Sequence, residues 1–555
     1  MRQAGSSDIF SIKNRLLRLK RDSNRWSVVT LFVVFLIAIP VLTISFELFE
    51  GPGESWTHIA KNLLVDYVSN SFYLLLVCSV MVLLFGVTTS WLVARYEFPF
   101  RKQLEWLLIL PLAIPSYIVA YAYAGAFDYG GSLELIQRYF GLEFTRIDVM
   151  NRFGLAFVLS ISLFPYVYVS TRAFFLNQAN NLLEASRLLG VGEFRTFFKL
   201  ILPLARPAII AGMILVLMEV LNDYGAAQYF GVNTFTTGIF RSWFSLEEPE
   251  TAIYLSALLL VLVFALILFE KWQRRKIQYT NESTNTERIY RKQTSKRKQF
   301  LIFCIVITPV LFGFFIPVAQ LIYWAVLTYS SVFDYSFLML SLQTFGIAFL
   351  TATVTVVFAT LLIFSAKWNR IGFIKNLSRL GILGYAIPGA VVAIGIMIPT
   401  LALDKWLMGV YESLSGNTTG FLIHGTLFAL VYAYAVRFLA VAYNPIESTT
   451  LKVSNAIPDA SKTLGVGNFK TFFKIEYPLI KTGMLSAFIL VFVDVLKELP
   501  LTLILKPFQV NTLAVRAFEY ASDERVMEAA IPSLFIIFTA AIPVIFLNKL
   551  LVSKS

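Results

Sequence analysis

Apolar runs of about 20 residues alternate with short polar segments along the whole 555-residue chain. They lie near 27–46, 70–94, 106–126, 153–174, 207–227, 251–270, 300–325, 341–366, 379–402, 421–443, 483–505 and 528–548. A helix rises about 1.5 Å per residue, so each run is long enough to cross a hydrocarbon core of about 30 Å. The pattern predicts an all-α polytopic membrane protein with about twelve transmembrane helices. Pro40, Pro165, Pro309 and Pro317 fall inside runs, where a bundle can tolerate them, and kinks are expected there. The run 27–46 has full span length and no small-x-small cleavage site follows it, so it reads as an uncleaved first span. The preceding segment from Ile9 to Lys20 is basic and amphipathic and is expected to lie on the inner membrane surface.

One long polar stretch interrupts this pattern. It divides the chain into a basic N-terminus (1–26), a first six-span repeat (27–270), a linker (271–299) and a second six-span repeat (300–555). The halves share sequence: Ala113-Ile114-Pro115-Ser116-Tyr117-Ile118-Val119-Ala120 has a counterpart in Ala386-Ile387-Pro388-Gly389-Ala390-Val391-Val392-Ala393. An even number of crossings per half leaves the two copies in the same orientation, related by an axis along the membrane normal, with a pathway expected between them.

Composition agrees: 57% of residues are hydrophobic and 15% charged, against roughly 45–50% apolar in a soluble domain. The net charge of +13 raises the question of nucleic acid, but Lys and Arg cluster on alternate loops. That distribution is a topology signal placing both termini and the basic loops in the cytoplasm, and it excludes nucleic acid as the explanation. Cys78 and Cys304 lie within apolar runs as packing residues. His58 and His424 lack metal-ligand spacing.

A polar segment recurs in the two halves. Glu184-Ala185-Ser186-Arg187-Leu188-Leu189-Gly190-Val191-Gly192-Glu193-Phe194-Arg195-Thr196-Phe197-Phe198-Lys199 returns as Asp459-Ala460-Ser461-Lys462-Thr463-Leu464-Gly465-Val466-Gly467-Asn468-Phe469-Lys470-Thr471-Phe472-Phe473-Lys474. Helical spacing on either side of the glycines predicts two short helices joined at Gly190 and at Gly465. Phe194, Phe197, Phe198, Phe469, Phe472 and Phe473 are apolar side chains on a loop outside the lipid. Such helices could cap the bundle or dock a partner; duplication of the polar turn together with the apolar positions favours docking. Neither copy has the GxxxxGK[ST] spacing that cradles phosphates, so ATP hydrolysis is not expected on this chain.

Both segments resemble the Glu-Ala-Ala loop of binding-protein-dependent ABC transporter permeases, the second departing to Asp459-Ala460-Ser461. Over nearly its whole length the chain is similar to the fused twelve-span branch of that family, the type I importer fold. Leu110-Pro111-Leu112-Ala113-Ile114-Pro115-Ser116-Tyr117, Asn222-Asp223-Tyr224-Gly225, Phe235-Thr236-Thr237-Gly238-Ile239-Phe240 and Ala521-Ser522-Asp523-Glu524-Arg525 look like the ferric iron permeases. The resemblance implies a non-enzymatic subunit of a bacterial inner membrane importer. Its coupling residues would be Glu184, Ala185, Gly190, Gly192 and Phe194, with Asp459, Ala460, Gly465, Gly467 and Phe469. Two copies of an ATPase subunit would dock there and bind ATP-Mg, this chain holding no cofactor. A periplasmic iron-binding protein would deliver cargo to the opposite face.

Acidic residues follow each loop inside an apolar run. Glu219 aligns with Asp494, and Asp223 with Glu498. As continuous helix each pair would share one face. At about 1.5 Å per residue from Pro207, Glu219 and Asp223 would stand roughly 18 and 24 Å above the cytoplasmic end. An intramembrane carboxylate costs about 3 kcal/mol or more, so these acids are expected to face the interior. Glu219, Asp223, Tyr224, Asp494 and Glu498 are therefore candidate pathway residues, with hard oxygens suited to transient Fe(III) contact and no stable metal site. In the alternative account Glu219 and Asp494 bond neighbouring helices, Lys497 neutralises Glu498, and Asp223 lies near the outer surface. Thiamine, a phosphonate or a polyamine are other cargoes, and an ion-coupled secondary transporter is another class. An intramembrane aspartyl protease is disfavoured, because neither Asp223 nor Asp494 sits in a Gly-x-Gly-Asp segment.

Overall fold

A computed structural model describes residues 25–141, 147–188, 190–274, 291–369, 377–378, 384, 386–415, 420–454 and 456–552. The expected surface segment from Ile9 to Lys20 and most of the linker lie outside these residues. Among the described residues the chain is helical, with one isolated bridge between Tyr96 and Lys292. Ten helices among the described residues are long and apolar enough to cross a membrane: Arg25–Glu47, Leu64–Arg95, Arg152–Leu176, Glu193–Asn222, Pro249–Gln273, Lys296–Val332, Tyr335–Lys367, Gly389–Ser415, Leu427–Thr450 and Asn468–Leu496. They occupy the first, second, fourth to sixth and seventh to eleventh predicted positions. The twelfth is Ala530–Val552, of which Ala530–Ala541 is apolar helix.

The third span departs from a simple crossing. It is a broken pair, Arg101–Ala113 and Ser116–Tyr139, bent by 91°. Proline has no N–H and disfavours helical geometry in the residue before it. Accordingly the chain tightens into a 3-10 turn over Leu110–Ala113, goes extended at Ile114, and restarts as helix at Ser116 after Pro115. Pro388 opens Gly389–Ser415 in the same way, Val392 N donating to Pro388 O at 3.0 Å. At Pro309 and Pro317 the backbone adjusts by a π-helical turn, Leu311–Phe315, between Lys296–Val310 and Ile316–Val332.

Contacts divide the chain into two compact units, one of residues 1–46 with 343–510 and the other of 47–342 with 511–555. The first span thus belongs with spans from the second repeat, while the seventh and twelfth belong with spans from the first. Within each unit the same packing recurs. The fifth span lies on the fourth at Gly212, where a Cβ would meet Ser170 and the Tyr166 carbonyl, and the eleventh lies on the tenth at Gly483, against Thr449 and the Pro445 carbonyl. Small residues allow such close approach where lipid supplies no hydrophobic drive.

One buried carboxylate is satisfied by nearby backbone. Asp404, fully buried in the ninth span's helix, accepts the backbone N–H groups of Leu422, Ile423 and His424 at 2.9, 2.8 and 2.5 Å. Three such bonds explain how a carboxylate is accommodated in an apolar run.

Candidate coupling loops and membrane carboxylates

The two repeated segments fold alike. In the first, the helix Arg152–Leu188 ends at Gly190, whose φ is +70°, and Val191 N donates to Ser186 O at 3.0 Å. In the second, Ala456–Thr463 ends at Gly465 with φ +77°, and Val466 N donates to Ser461 O at 3.1 Å. This six-to-one bond with a left-handed glycine is the Schellman stop, which an L side chain would strain. The expectation of two short helices holds for the second copy; in the first, the leading helix is the end of a 37-residue one.

Gly192 and Gly467 then cap short helices, Glu193–Thr196 and Asn468–Thr471. A π-helical turn follows in each, Phe197–Ile201 and Phe472–Glu476, before the span itself. Buried hydroxyls hold the second elbow together, with Ser461 and Thr471 oxygens 2.8 Å apart. A Cβ at Gly190, Gly192, Gly465 or Gly467 would meet nothing within 4 Å. Internal packing therefore leaves space at all four.

The six phenylalanines split into two roles. Phe194 is 78% exposed and Phe469 67%, each with its ring close to a second exposed ring, Phe198 at 4.7 Å and Phe473 at 4.8 Å. Phe197 and Phe472, expected to face outward with them, are half-buried instead, 4.7 Å from Trp91 and 4.7 Å from Phe364. A four-residue step returns to one helix face, whereas Phe197 and Phe472 fall on the side toward the bundle. Asp459 and Ala460 are exposed; the side chains of Glu184 and Ala185 lie outside the described ones.

The carboxylates are arranged differently from a single helical face. The fifth-span helix stops at Asn222 and Asp223 is extended; the eleventh stops at Leu496, before Glu498. Each outer acid instead receives the N-terminus of the next short helix. Asp223 accepts Ala227 N at 3.0 Å ahead of Gly225–Tyr229, and Glu498 accepts Leu501 N at 3.0 Å ahead of Pro500–Leu505. Orphan N–H groups at a helix start favour a carboxylate there.

The partners of the two outer acids also differ. Ser116, exposed by the break in the third span, donates to Asp223 at 2.5 Å. At the matching place Gly389 leaves room for Arg437 of the tenth span, whose Nε lies 3.5 Å from Glu498 Oε2. Lys497 pairs with Asp494 at 2.9 Å. Among the described residues no cation lies within ion-pair distance of Asp223. Glu219 is half-buried. Tyr224 is buried with its ring stacked on Phe240 at 3.6 Å. Among the described residues no three His, Cys, Asp or Glu side chains converge. Ser116 and Arg437 were not singled out from sequence, although a lone arginine in the apolar run 427–450 is a signal that a buried acid must face it.

Long apolar helices, a broken third span and paired elbows define a multi-pass helical membrane protein. Residues 83–278 match the family described as binding-protein-dependent transport system inner membrane component, so the first repeat carries a domain of that family. The chain is 27% identical over 528 residues, 94% of its length and 97% of the relative's, to the Fe(3+)-transport system permease protein FbpB 2 of Haemophilus influenzae. It is 26% identical over 266 residues to the spermidine/putrescine transport system permease protein PotB of the same organism, covering 44% of this chain and 93% of that one. It is also 24% identical over 207 residues to the sulfate transport system permease protein CysT of Escherichia coli, covering 37% and 72%.

Proposed function

We propose that this chain is the membrane subunit of an ABC importer that carries ferric iron, released by a periplasmic binding protein, into the cytoplasm. A separate ATPase, present in two copies and holding ATP-Mg, drives it, and both termini and both elbows face that ATPase. The observation that carries the reading is the duplicated elbow, with a left-handed glycine stop, an open glycine cap and an exposed phenylalanine pair in each copy. Two equivalent aromatic knobs fit equivalent grooves on two motor subunits. Closure of those subunits would shift the permease between inward-open and outward-open states.

Iron is favoured as cargo by the relative matched over nearly the full length, whose name specifies Fe(3+) transport. The surroundings of Asp223 support a cation as cargo, because its carboxyl bonds a hydroxyl and an amide and, among the described residues, has no cation at ion-pair distance. Glu219 and the carboxylate of Asp223 would offer brief, partly hydrated contacts, since a tight cage would trap the ion. Asp494 and Glu498, each beside its own cation, serve the fold.

The test is reconstitution of the chain in vesicles with its ATPase and with binding protein loaded with Fe(3+) or with spermidine. Iron-loaded protein should stimulate ATP hydrolysis and uptake, and Gly192→Trp with Gly467→Trp should abolish both while the chain still inserts. Stimulation by spermidine alone would replace the cargo. Iron uptake without nucleotide would overturn the coupling.

A further inference from the structure

The two elbows are alike in backbone but are tied to the protein at different points. In the first, Glu193 opens the short helix, and its carboxylate receives Arg95 Nη2 at 2.9 Å and Lys292 Nζ at 2.8 Å, one cation on each oxygen. Arg95 ends the second span and is 4% exposed. Lys292 comes from the linker. Its backbone is stitched to the same place, Lys292 N donating to Arg95 O at 2.9 Å and Glu97 N to Lys292 O at 3.2 Å. The helix of the seventh span begins at Lys296.

The second elbow has Asn468 where the first has Glu193, and an amide carries no charge to hold two cations. Among the described residues an ion pair lies farther along, where Glu476 at the end of the π-helical turn meets Lys367 of the eighth span at 2.6 Å. The matching residue in the first copy is Ile201. One elbow is thus gripped at its tip and the other at its root.

We propose that Glu193, held by Arg95 and Lys292, is a positioning residue that makes the first elbow a fixed lever on the chain entering the seventh span, while the second elbow adapts. The lever's use rests on the coupling role proposed above; the grip itself does not. Charge-assisted bonds to a nearly buried guanidinium resist opening more than neutral contacts do. They also weaken as the screening length shortens to about 3 Å in 1 M salt.

Amide exchange on the full chain in nanodiscs tests the grip without any partner. Amides 191–196 should exchange about tenfold more slowly than 466–471, the ratio expected for one charged hydrogen bond. E193Q and, independently, K292Q should bring the first elbow to the rate of the second, E193D should keep most of the protection, and 1 M salt should narrow the gap. Equal rates in the unmodified chain would overturn the proposal. So would an E193Q effect that spreads equally to 466–471, which marks general loosening. A Glu193-dependent gap in a chain whose uptake ignores nucleotide would sustain the grip and remove the coupling reading.

Discussion

Arg437 and Glu498 share a site that neither could occupy alone. Both are nearly buried, and their attraction offsets part of the cost of desolvating them. Replacing Glu498 with Gln leaves a buried guanidinium without its counter-charge and should lower stability by about 3–5 kcal/mol, read as a thermal shift in detergent. The double variant E498Q/R437M should recover most of that loss; no recovery would show that the pair is not what stabilises the site. Asp223→Asn can keep the hydroxyl and amide contacts, so it should leave the melting temperature nearly unchanged and reduce iron uptake. Sequence announced the acids but not Ser116 and Arg437 as their partners. The chain leaves helical geometry after Leu496, and Lys497 turns back to Asp494. Local spacing misleads wherever a helix ends early.

The spans themselves were legible because length and apolarity alone specify a crossing helix. Their internal adjustments were not: Pro115 breaks a span by 91°, whereas Pro40 sits inside the helix Arg25–Glu47. Pro115 follows a 3-10 turn that begins at Leu110 and contains Pro111, and the helix restarts at Ser116, whose hydroxyl donates to Asp223. The elbows were legible in outline because glycine at a left-handed stop has a local cause. The inward turn of Phe197 and Phe472 depends on Trp91 and Phe364, more than a hundred residues away in sequence. Connecting segments are fixed with similar economy. Glu248 accepts Ser55 N at 3.0 Å, Ser55 Oγ at 2.6 Å and Thr251 Oγ1 at 2.9 Å. The Ser55 hydroxyl, above all, holds this carboxyl below its ordinary value of 4.5. A lowered value in the folded state means the contact contributes fully above about pH 4.5 and is lost as pH falls through the lowered value. Amide exchange over residues 54–60, corrected for intrinsic rate, should therefore rise on acidification below that range. E248Q should show the same rise at neutral pH; a segment equally protected in both would show that this contact does not hold it.

At the scale of the whole molecule the sequence repeat and the compact unit are different divisions. Residues 1–46 join 343–510, and 511–555 join 47–342, so each unit takes spans from both repeats. A chain cut between 282 and 283 should give two fragments that are degraded when made separately and stable when made together. Membrane-embedded, protease-resistant yield is the measure, and a fragment resistant by itself would contradict the exchange of spans.

That exchange also sets a schedule during synthesis. The first span enters the bilayer with roughly 300 residues still to be made before residue 343 and the helices it packs on emerge. At about 5–20 residues per second this is a wait of roughly 15–60 s. Throughout it, the hydroxyl of Thr30, which ends within 2.9 Å of Ser365, has only its own helix to bond. The insertion machinery must therefore shelter a lone helix for most of a translation cycle, and slowing the ribosome would lengthen its exposure to membrane proteases.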